Sequence, residues 1–476
     1  MNKYKNLAFN TLVFAIGSFG SKILVLLLTR LYTNNISPSD SSTKDLLETM
    51  MLFLQPIFTF ALQEYLIRFG LDKKYDKKEV FTTSTVLTLA GMGLMAVAVP
   101  LLSTIAFLDF IRGYTVLLIV FVFVSSIRML CMQFVRARGL VKLFSLDGIL
   151  ATLTLFIFNI IFVGGLHWGV KGFLLAVILS DFLSSVFLFI TAKLRRYLDI
   201  HYYNQKLASA MMRFALPLVP TIVMWVITSL SDRLFIRYMD SDRAVLGESA
   251  AGIYSYATKV PNLISMVSTI FFQAWNMSAI MENDSRDRSR FYEKVYSAYE
   301  SILIIASAFL IAGVQIITPI FISTKKFSEY GDVYLYTPVL IVAVMFMCLD
   351  QFLSSIYTAT KHTKNSFWTS FAACMANLVL NFFLIPLWGI QGASIATFLS
   401  YYLCFWARII DARYYVPFRF DGLKSLMNTA ALLVMCWIII SKPVVYGLWL
   451  VILLAAVIWS NYKAVLVTAR KILKRG

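Results

Sequence analysis

Long apolar segments follow one another from one end of this chain to the other. Of its 476 residues, 59% are hydrophobic and only 14% are charged, which is too little charge to cover a soluble core of this size. A helical run of about 20 apolar residues spans the roughly 30 Å hydrocarbon core of a bilayer. The sequence therefore predicts an all-α polytopic membrane protein with fourteen transmembrane helices. We predict these helices at 7–32, 46–70, 80–103, 113–135, 143–165, 171–192, 213–237, 252–281, 295–322, 335–359, 365–386, 390–410, 424–441 and 444–462.

Lysine and arginine gather in alternate loops between these segments. If the N-terminus lies in the cytoplasm, most of the 43 Lys and Arg fall in cytoplasmic loops, one of which is predicted at 408–424. This distribution follows the positive-inside rule, so the net charge of +18 indicates membrane topology and not nucleic-acid binding. We predict that both termini are cytoplasmic.

A short motif occurs twice, each time between two apolar segments. WGVKG at 168–172 matches WGIQG at 388–392. Their offset covers six predicted helices, an even number, so both copies enter the membrane in the same direction, as in transporters with parallel repeats. We predict two six-helix lobes related by a pseudo-two-fold axis, at 1–206 and 207–415, and two additional helices with a basic tail at 416–476.

Signatures of soluble enzymes are missing from the sequence. It has no Walker A loop, no G-x-G-x-x-G after a strand, no H-E-x-x-H and no Cys/His metal spacing. The five cysteines all lie in apolar segments, and we interpret them as packing residues. We predict that the protein is not an enzyme and has no cofactor except a coupling ion, Na⁺ or H⁺.

Several charged residues lie inside the predicted helices. A charge at the bilayer centre costs roughly 2.5–3.5 kcal/mol, so each needs a charged partner or a wet cavity. Cations in such a cavity suit a phosphate-bearing ligand. The alternatives are snorkelling to the interface and ion pairing within the protein, for example with Asp181 or Asp350. We predict a cationic substrate cavity that contains Lys22, Arg128 and Lys259, with Arg30 and Arg233 as weaker members.

Two opposite charges lie near the cytoplasmic end of the second predicted helix. Glu64 and Arg68 are four residues apart, which places them on one helix face. We predict that this pair belongs to an inner gate. The alternative is an ordinary solvent-exposed pair.

Several segments together resemble the polysaccharide flippases of the MOP superfamily, the Wzx-type exporters related to MATE exporters and lipid II flippases. The resemblance extends over nearly the whole chain and is carried best by predicted helices 7, 8, 11 and 12. The matching segments are FALPLVP at 214–220, SDR at 231–233, AGIYSY at 251–256, KVP at 259–261, FQAW at 272–275, NLVLN at 377–381, LIP at 384–386 and GIQGASIAT at 389–397.

This resemblance implies a flippase that moves undecaprenyl-diphosphate-linked oligosaccharide repeat units across the bacterial plasma membrane by alternating access. The product would be capsule, O-antigen or exopolysaccharide. The implied partners are the lipid-linked glycan, membrane lipids, and a polysaccharide polymerase or glycosyltransferases around a monomeric flippase. One alternative is another cargo in the same fold: a teichoic-acid precursor, lipid II, or a drug exchanged for a cation. The other is a membrane glycosyltransferase or polymerase.

The resemblance also implies a cation site in the second lobe. In the lipid II flippases, an Asp on helix 7, an Asn and an Asp on helix 11, and a Thr on helix 12 form a sodium site. The matching residues here are Asp232, Asn377, Asn381 and Thr397, with the carbonyl of Ala393 as a fifth ligand. Asn381 stands where that family has Asp, so one negative charge is missing. The alternative is that the two asparagines only join helices, at about 0.6 kcal/mol per hydrogen bond.

Overall fold

The computed structural model describes residues 24, 27–72, 74–282, 288–360 and 362–474, and this part of the chain is helical without any strand. Helix α1 is described over 27–35. The other helices are α2 (Pro38–Phe58), α3 (Leu62–Leu71), α4 (Lys77–Leu102), α5 (Thr115–Ala137), α6 (Val141–Asn159), α7 (Gly169–Thr191), α8 (Gln205–Ala215), α9 (Val219–Tyr238), α10 (Glu248–Ala257), α11 (Asn262–Glu282), α12 (Arg288–Ala312), α13 (Val314–Phe321), α14 (Val333–Ala359), α15 (Thr363–Trp388), α16 (Ile390–Tyr415), α17 (Gly422–Ser441) and α18 (Tyr446–Lys474).

Many of these helices are long and apolar enough to cross a membrane. Ten qualify within the described residues, or up to twelve if each of two bent pairs forms one span. One bent pair is α2 with α3, and the other is α8 with α9. The polytopic all-α fold is therefore confirmed, and the count of fourteen spans stays a prediction. Most of the first predicted span, 7–32, lies outside the described residues.

Two further predicted spans also contain a break. The span at 252–281 is divided into α10 and α11 by a non-helical turn that ends at Pro261. Proline lacks a backbone N–H and disfavours helical geometry in the residue before it, which explains the interruption. The span at 295–322 is likewise divided at Gly313 into α12 and α13.

The repeated motif adopts matching geometry at its two positions. Gly169 and Gly389, the first glycines of the two copies, have φ values of 54° and 57°, which favour glycine. Gly169 is the first residue of α7, and Gly389 directly precedes α16. A Cβ on the second glycine would lie 3.0 Å from the Phe162 carbonyl oxygen at Gly172, and 2.1 Å from the Leu384 carbonyl oxygen at Gly392. The motif thus combines a sharp turn with a close approach of two helices.

The chain divides into two compact units. The first, Gly20–Tyr238, contains α1 to α9. Its core lies where α3, α4, α5 and α8 meet, and it includes Tyr65, Phe81, Phe134 and Met211, all nearly inaccessible to solvent. The amphipathic helix α8 lies mostly between the predicted spans 171–192 and 213–237.

The second unit, Met239–Gly476, contains α10 to α18 and is organised around α14. The apolar window of the span that includes α14 is 83% buried. Trp275 of α11 donates a hydrogen bond to Ser355 of α14 at 2.7 Å and stacks on Phe352, with the ring centroids 4.6 Å apart. Helices α17 and α18 are joined by the buried amides of Asn428 and Asn461, 3.1 Å apart.

The compact units differ from the predicted lobes at one boundary. The first unit continues past residue 206 to Tyr238, so it includes α8 and α9, which the sequence repeat assigns to the second lobe. Polar contacts between α2 and α9, described below, explain why α9 belongs to the first unit. The division at 206 and 415 remains a prediction about the repeat.

Candidate functional site

Three charged side chains meet between α5, α6 and α7. The Arg128 guanidinium donates to Oδ1 of Asp181 at 3.0 Å and lies 3.6 Å from Oδ2 of Asp147. Ser125 donates to Asp181, while Ser184 donates to Asp147 at 2.5 Å and accepts from Nε of Arg128 at 2.9 Å. The Asp147 side chain is completely buried, whereas that of Arg128 is 25% exposed. Arg128 is thus ion-paired inside the first unit, and its place in a substrate cavity stays a prediction.

Helix α9 presents two nearly buried arginines to the start of α2. Arg233 donates to the carboxylate of Asp45. One turn further along, Arg237 donates to the hydroxyls of Ser42 and Thr43, both at 3.1 Å. Arg233, predicted as a weaker member of the substrate cavity, therefore has an acidic partner on another helix. Its binding of substrate stays a prediction.

A fully buried arginine connects α14, α15 and α16 in the second unit. Arg408, only 1% exposed, donates to the main-chain carbonyl of Asp350 at 2.8 Å, to Ser370 at 2.8 Å and to Thr369 at 3.1 Å. The Asp350 side chain is also buried, and within the described structure neither of its carboxylate oxygens has a hydrogen-bond partner. The prediction that Arg408 begins a cytoplasmic loop is wrong, because α16 continues to Tyr415.

Four of the five predicted cation ligands lie on α15 and α16. Asn377 and Asn381 are both completely buried, and the Asn381 amide donates to Oδ1 of Asn377 at 3.1 Å. The Thr397 hydroxyl donates to the carbonyl of Ala393 at 2.9 Å. These atoms therefore already make hydrogen bonds with one another. Asp232, which is 3% exposed, belongs to the first unit, and the five-residue cation site stays a prediction.

The predicted inner-gate residues do not form an ion pair in the described structure. Glu64 and Arg68 both lie on α3, but the Arg68 guanidinium packs over the ring of Phe214, 4.5 Å from its centroid. This cation–π contact competes with the pairing that the i, i+4 spacing favours. The expected contact is therefore absent in this conformation, and the role of the two residues in a gate stays a prediction.

The remaining predicted cavity residues are only partly described. Lys22 lies outside the described residues. Arg30 lies on α1 with an exposed side chain. Lys259 is half-buried in the turn between α10 and α11, where the broken helix interrupts the regular backbone. Their shared role in binding an anion stays a prediction.

Several polar residues that the structure brings together were missed by sequence reasoning. Asp147 lies within the predicted span 143–165, so its position in an apolar run was already a signal of a buried charge. Arg237 and Arg408 lie at the ends of predicted spans, where charge is normally solvated. Their burial could be predicted only with the correct helix lengths. Hydroxyl partners such as Ser184 carry no signal in a single sequence, because serine is common in membrane helices.

No protein-family model matches the sequence, and no curated protein matches it significantly. Solved structures, in contrast, share its fold over most of its length. A lipid II flippase MurJ in an inward closed conformation aligns with a TM-score of 0.72 over 97% of this chain and 100% of its own, at 14% identity. An inward-facing multidrug resistance MATE transporter of the MOP superfamily aligns with a TM-score of 0.67 over 84% of this chain and 98% of its own, at 14% identity. A Vibrio cholerae MATE transporter aligns with a TM-score of 0.62 over 88% and 98%, at 11% identity.

These similarities, at low identity, establish the fold. The chain is a multi-pass α-helical membrane protein with the fold shared by the lipid II flippase and the MATE transporters. The fold expected from the sequence resemblance is confirmed at this level.

Proposed function

We propose that the protein is a flippase for undecaprenyl-diphosphate-linked oligosaccharides in the bacterial plasma membrane. It would move the lipid-linked glycan from the cytoplasmic to the outer leaflet by alternating access, in the synthesis of a surface polysaccharide. The polypeptide would act as a monomer that receives its cargo from glycosyltransferases and delivers it to a polymerase. It would catalyse no covalent chemistry.

The observation that carries this proposal is the nearly complete match to a lipid II flippase. That similarity covers 97% of this chain and all of the other, whereas the two MATE transporters cover 84% and 88% of this chain. A flippase of this fold must accommodate a diphosphate joined to a lipid and a sugar. The cations predicted in the helices, with the net charge of +18, suit such an anion.

The direct test is deletion of the encoding gene followed by extraction of lipid-linked sugars. We expect undecaprenyl-diphosphate-linked repeat units to accumulate and surface polysaccharide to be lost. A plasmid copy of the wild type, or of the Gly148→Ala variant, should restore both, since a Cβ at Gly148 meets no atom within 4 Å. Normal levels of lipid-linked sugars with unchanged surface polysaccharide would contradict the proposal.

A second candidate is an exporter of cationic drugs, and one observation favours it. The cluster of Arg128, Asp147 and Asp181 contains two carboxylates and one guanidinium, so with both carboxylates ionised this cluster carries one negative charge in excess. An acidic cluster of this kind suits a cationic cargo. Extrusion of ethidium by cells expressing the protein, with no change in lipid-linked sugars on deletion, would support this candidate.

A further inference from the structure

The cluster between α5, α6 and α7 has an unbalanced formal charge. With both carboxylates ionised, the single positive charge of Arg128 faces the negative charges of Asp147 and Asp181, which leaves one negative charge in excess. No second cation lies within ion-pair distance of these carboxylates in the described part of the chain. An uncompensated charge in an apolar interior is strongly unfavourable, and a buried group normally avoids this by changing its protonation state.

The two carboxylates differ in how well their charge is stabilised. Asp181 receives the shorter contact from Arg128, at 3.0 Å, and a hydrogen bond from Ser125. Asp147 receives a hydrogen bond from Ser184 on one oxygen, while its other oxygen lies 3.6 Å from Arg128 and has no hydrogen-bond partner. The Asp147 side chain has no exposure, against 10% for Asp181. A proton therefore belongs on Asp147 and not on Asp181.

We propose that Asp147 is a proton-binding site whose occupancy depends on Arg128. In the conformation described here, the carboxylate of Asp147 binds one proton from the aqueous phase to become a carboxylic acid, which brings the cluster to neutrality. If Arg128 turns fully toward Asp147, that proton is released. The inference rests on the proposed function for its role in transport, where proton binding would couple an ion gradient to the movement of cargo.

The groups that face Asp147 determine how this site responds to pH. From α5 they are the guanidinium of Arg128 and the thiol of Cys131, and from α7 they are the carboxylate of Asp181 and the hydroxyl of Ser184. Arg128 is the most exposed member of the ion-paired cluster. An anion that draws the guanidinium away from the carboxylates would increase the excess negative charge. Such an anion should therefore favour proton uptake by Asp147.

Infrared spectroscopy of the full chain in lipid nanodiscs tests the site without any lipid-linked substrate. A buried carboxylic acid has a C=O stretching band that shifts when D₂O replaces H₂O. We expect such absorption near neutral pH in the wild type. Because other buried carboxyl groups such as that of Asp350 absorb in the same region, the band of the cluster is read from wild-type-minus-variant difference spectra, and we expect its loss in Asp147→Asn. We also expect its loss in Asp181→Asn, because Asp147 can then remain ionised against Arg128. The Asp72→Asn variant, which changes an exposed carboxylate, should keep the band.

The Arg128→Gln variant should have the opposite effect. Removal of the cation leaves both carboxylates without a positive partner among the described residues, so the intensity of the band should increase. Its increase, together with loss in Asp181→Asn, places the proton on one of the two aspartates if the Asp147→Asn variant does not fold. Asp147→Glu then assigns it, because a glutamic acid at position 147 should shift the frequency of the band, whereas Asp181→Glu should not. Absence of the band at every pH at which the wild type is folded would overturn the proposal. So would difference spectra in which neither aspartate variant loses a component of the band. Because cargo plays no part in the measurement, the result is separate from the outcome of the flippase assay.

Discussion

Arg233 on α9 donates a hydrogen bond to Asp45 on α2, although 188 residues of sequence separate the two side chains. The sequence repeat assigns α2 to the first six helices and α9 to the second six, so this buried pair joins the two repeats. Removing one partner of a buried ion pair typically costs about 3–5 kcal/mol, because the other charge remains buried. We expect Arg233→Gln and Asp45→Asn each to lower the melting temperature in detergent. Together they should cost less than the sum of the two, as a double-mutant cycle would show.

Transport assays of the same variants distinguish pairing from the predicted binding of substrate by Arg233. If Arg233 serves only the pair, both single variants should lose surface polysaccharide to a similar extent. If it binds the anion, Arg233→Gln should lose activity while Asp45→Asn, which removes only the acidic partner of the guanidinium, should keep it. Arg243→Gln, which changes an exposed arginine, is the matched control and should behave as the wild type.

The buried Arg408 predicts a substitution that keeps the charge and still destabilises the protein. Its guanidinium uses three nitrogens to reach Thr369, Ser370 and the main-chain carbonyl of Asp350. A lysine ammonium at the end of a flexible chain cannot match this planar arrangement. We expect Arg408→Lys to cost about 1–3 kcal/mol through unsatisfied buried acceptors. The exposed Arg419→Lys should leave the thermal denaturation curve unchanged, and equal melting temperatures for the two variants would contradict the role of Arg408.

Replacement of the second glycine of each repeated motif by alanine should destabilise the protein by different amounts at the two positions. A Cβ at Gly392 would lie 2.1 Å from a backbone oxygen, so α15 and α16 must move apart to accept alanine. We expect Gly392→Ala to destabilise the protein by about 1–3 kcal/mol, as overpacking does. Gly172→Ala, at 3.0 Å, should have a smaller effect. Gly148→Ala, in open space on α6, should be neutral or stabilising by about 0.4–1 kcal/mol. Thermal denaturation of the three variants gives the order, and a reversed order would show that the helices do not approach closely there.

The predicted cation site can be tested by its ion selectivity. If Asp232, Asn377, Asn381, Ala393 and Thr397 hold Na⁺, sodium chloride should raise the melting temperature of the wild type more than choline chloride at equal ionic strength. That difference should disappear in Asp232→Asn. Equal effects of the two salts would contradict the cation site and favour the alternative in which the asparagines only make hydrogen bonds, such as the one between Asn381 and Asn377.

The sequence predicted the helical fold and the repeated motif because both depend on local patterns. Runs of apolar residues define spans whatever their neighbours are, and the first glycine of the motif has nearly the same φ at Gly169 and Gly389. Helix ends were less predictable, since the extension of α16 to Tyr415 depends on the buried partners of Arg408.

Polar clusters were predicted only in part, because partners come from distant parts of the chain. Arg128 and Asp181 were recognised as buried charges, but the sequence gives no means of showing that Asp147 joins them. The i, i+4 spacing of Glu64 and Arg68 allows an ion pair, yet tertiary packing placed the guanidinium on Phe214 instead. The partner of each charged side chain depends on which helix packs beside it. Local patterns in a single sequence do not show which helices are neighbours.

Flippase activity is tested most directly by reconstitution of the purified full chain in proteoliposomes that contain an undecaprenyl-diphosphate-linked oligosaccharide. The measurement is the fraction of this lipid that becomes accessible to a membrane-impermeant glycosidase over time, with protein-free liposomes as the baseline. If the protein is a flippase, the accessible fraction will rise well above that baseline and will depend on an imposed ion gradient or membrane potential. The proposed flippase activity would be contradicted if the accessible fraction equalled that of protein-free liposomes under every gradient while the same protein preparation exports ethidium.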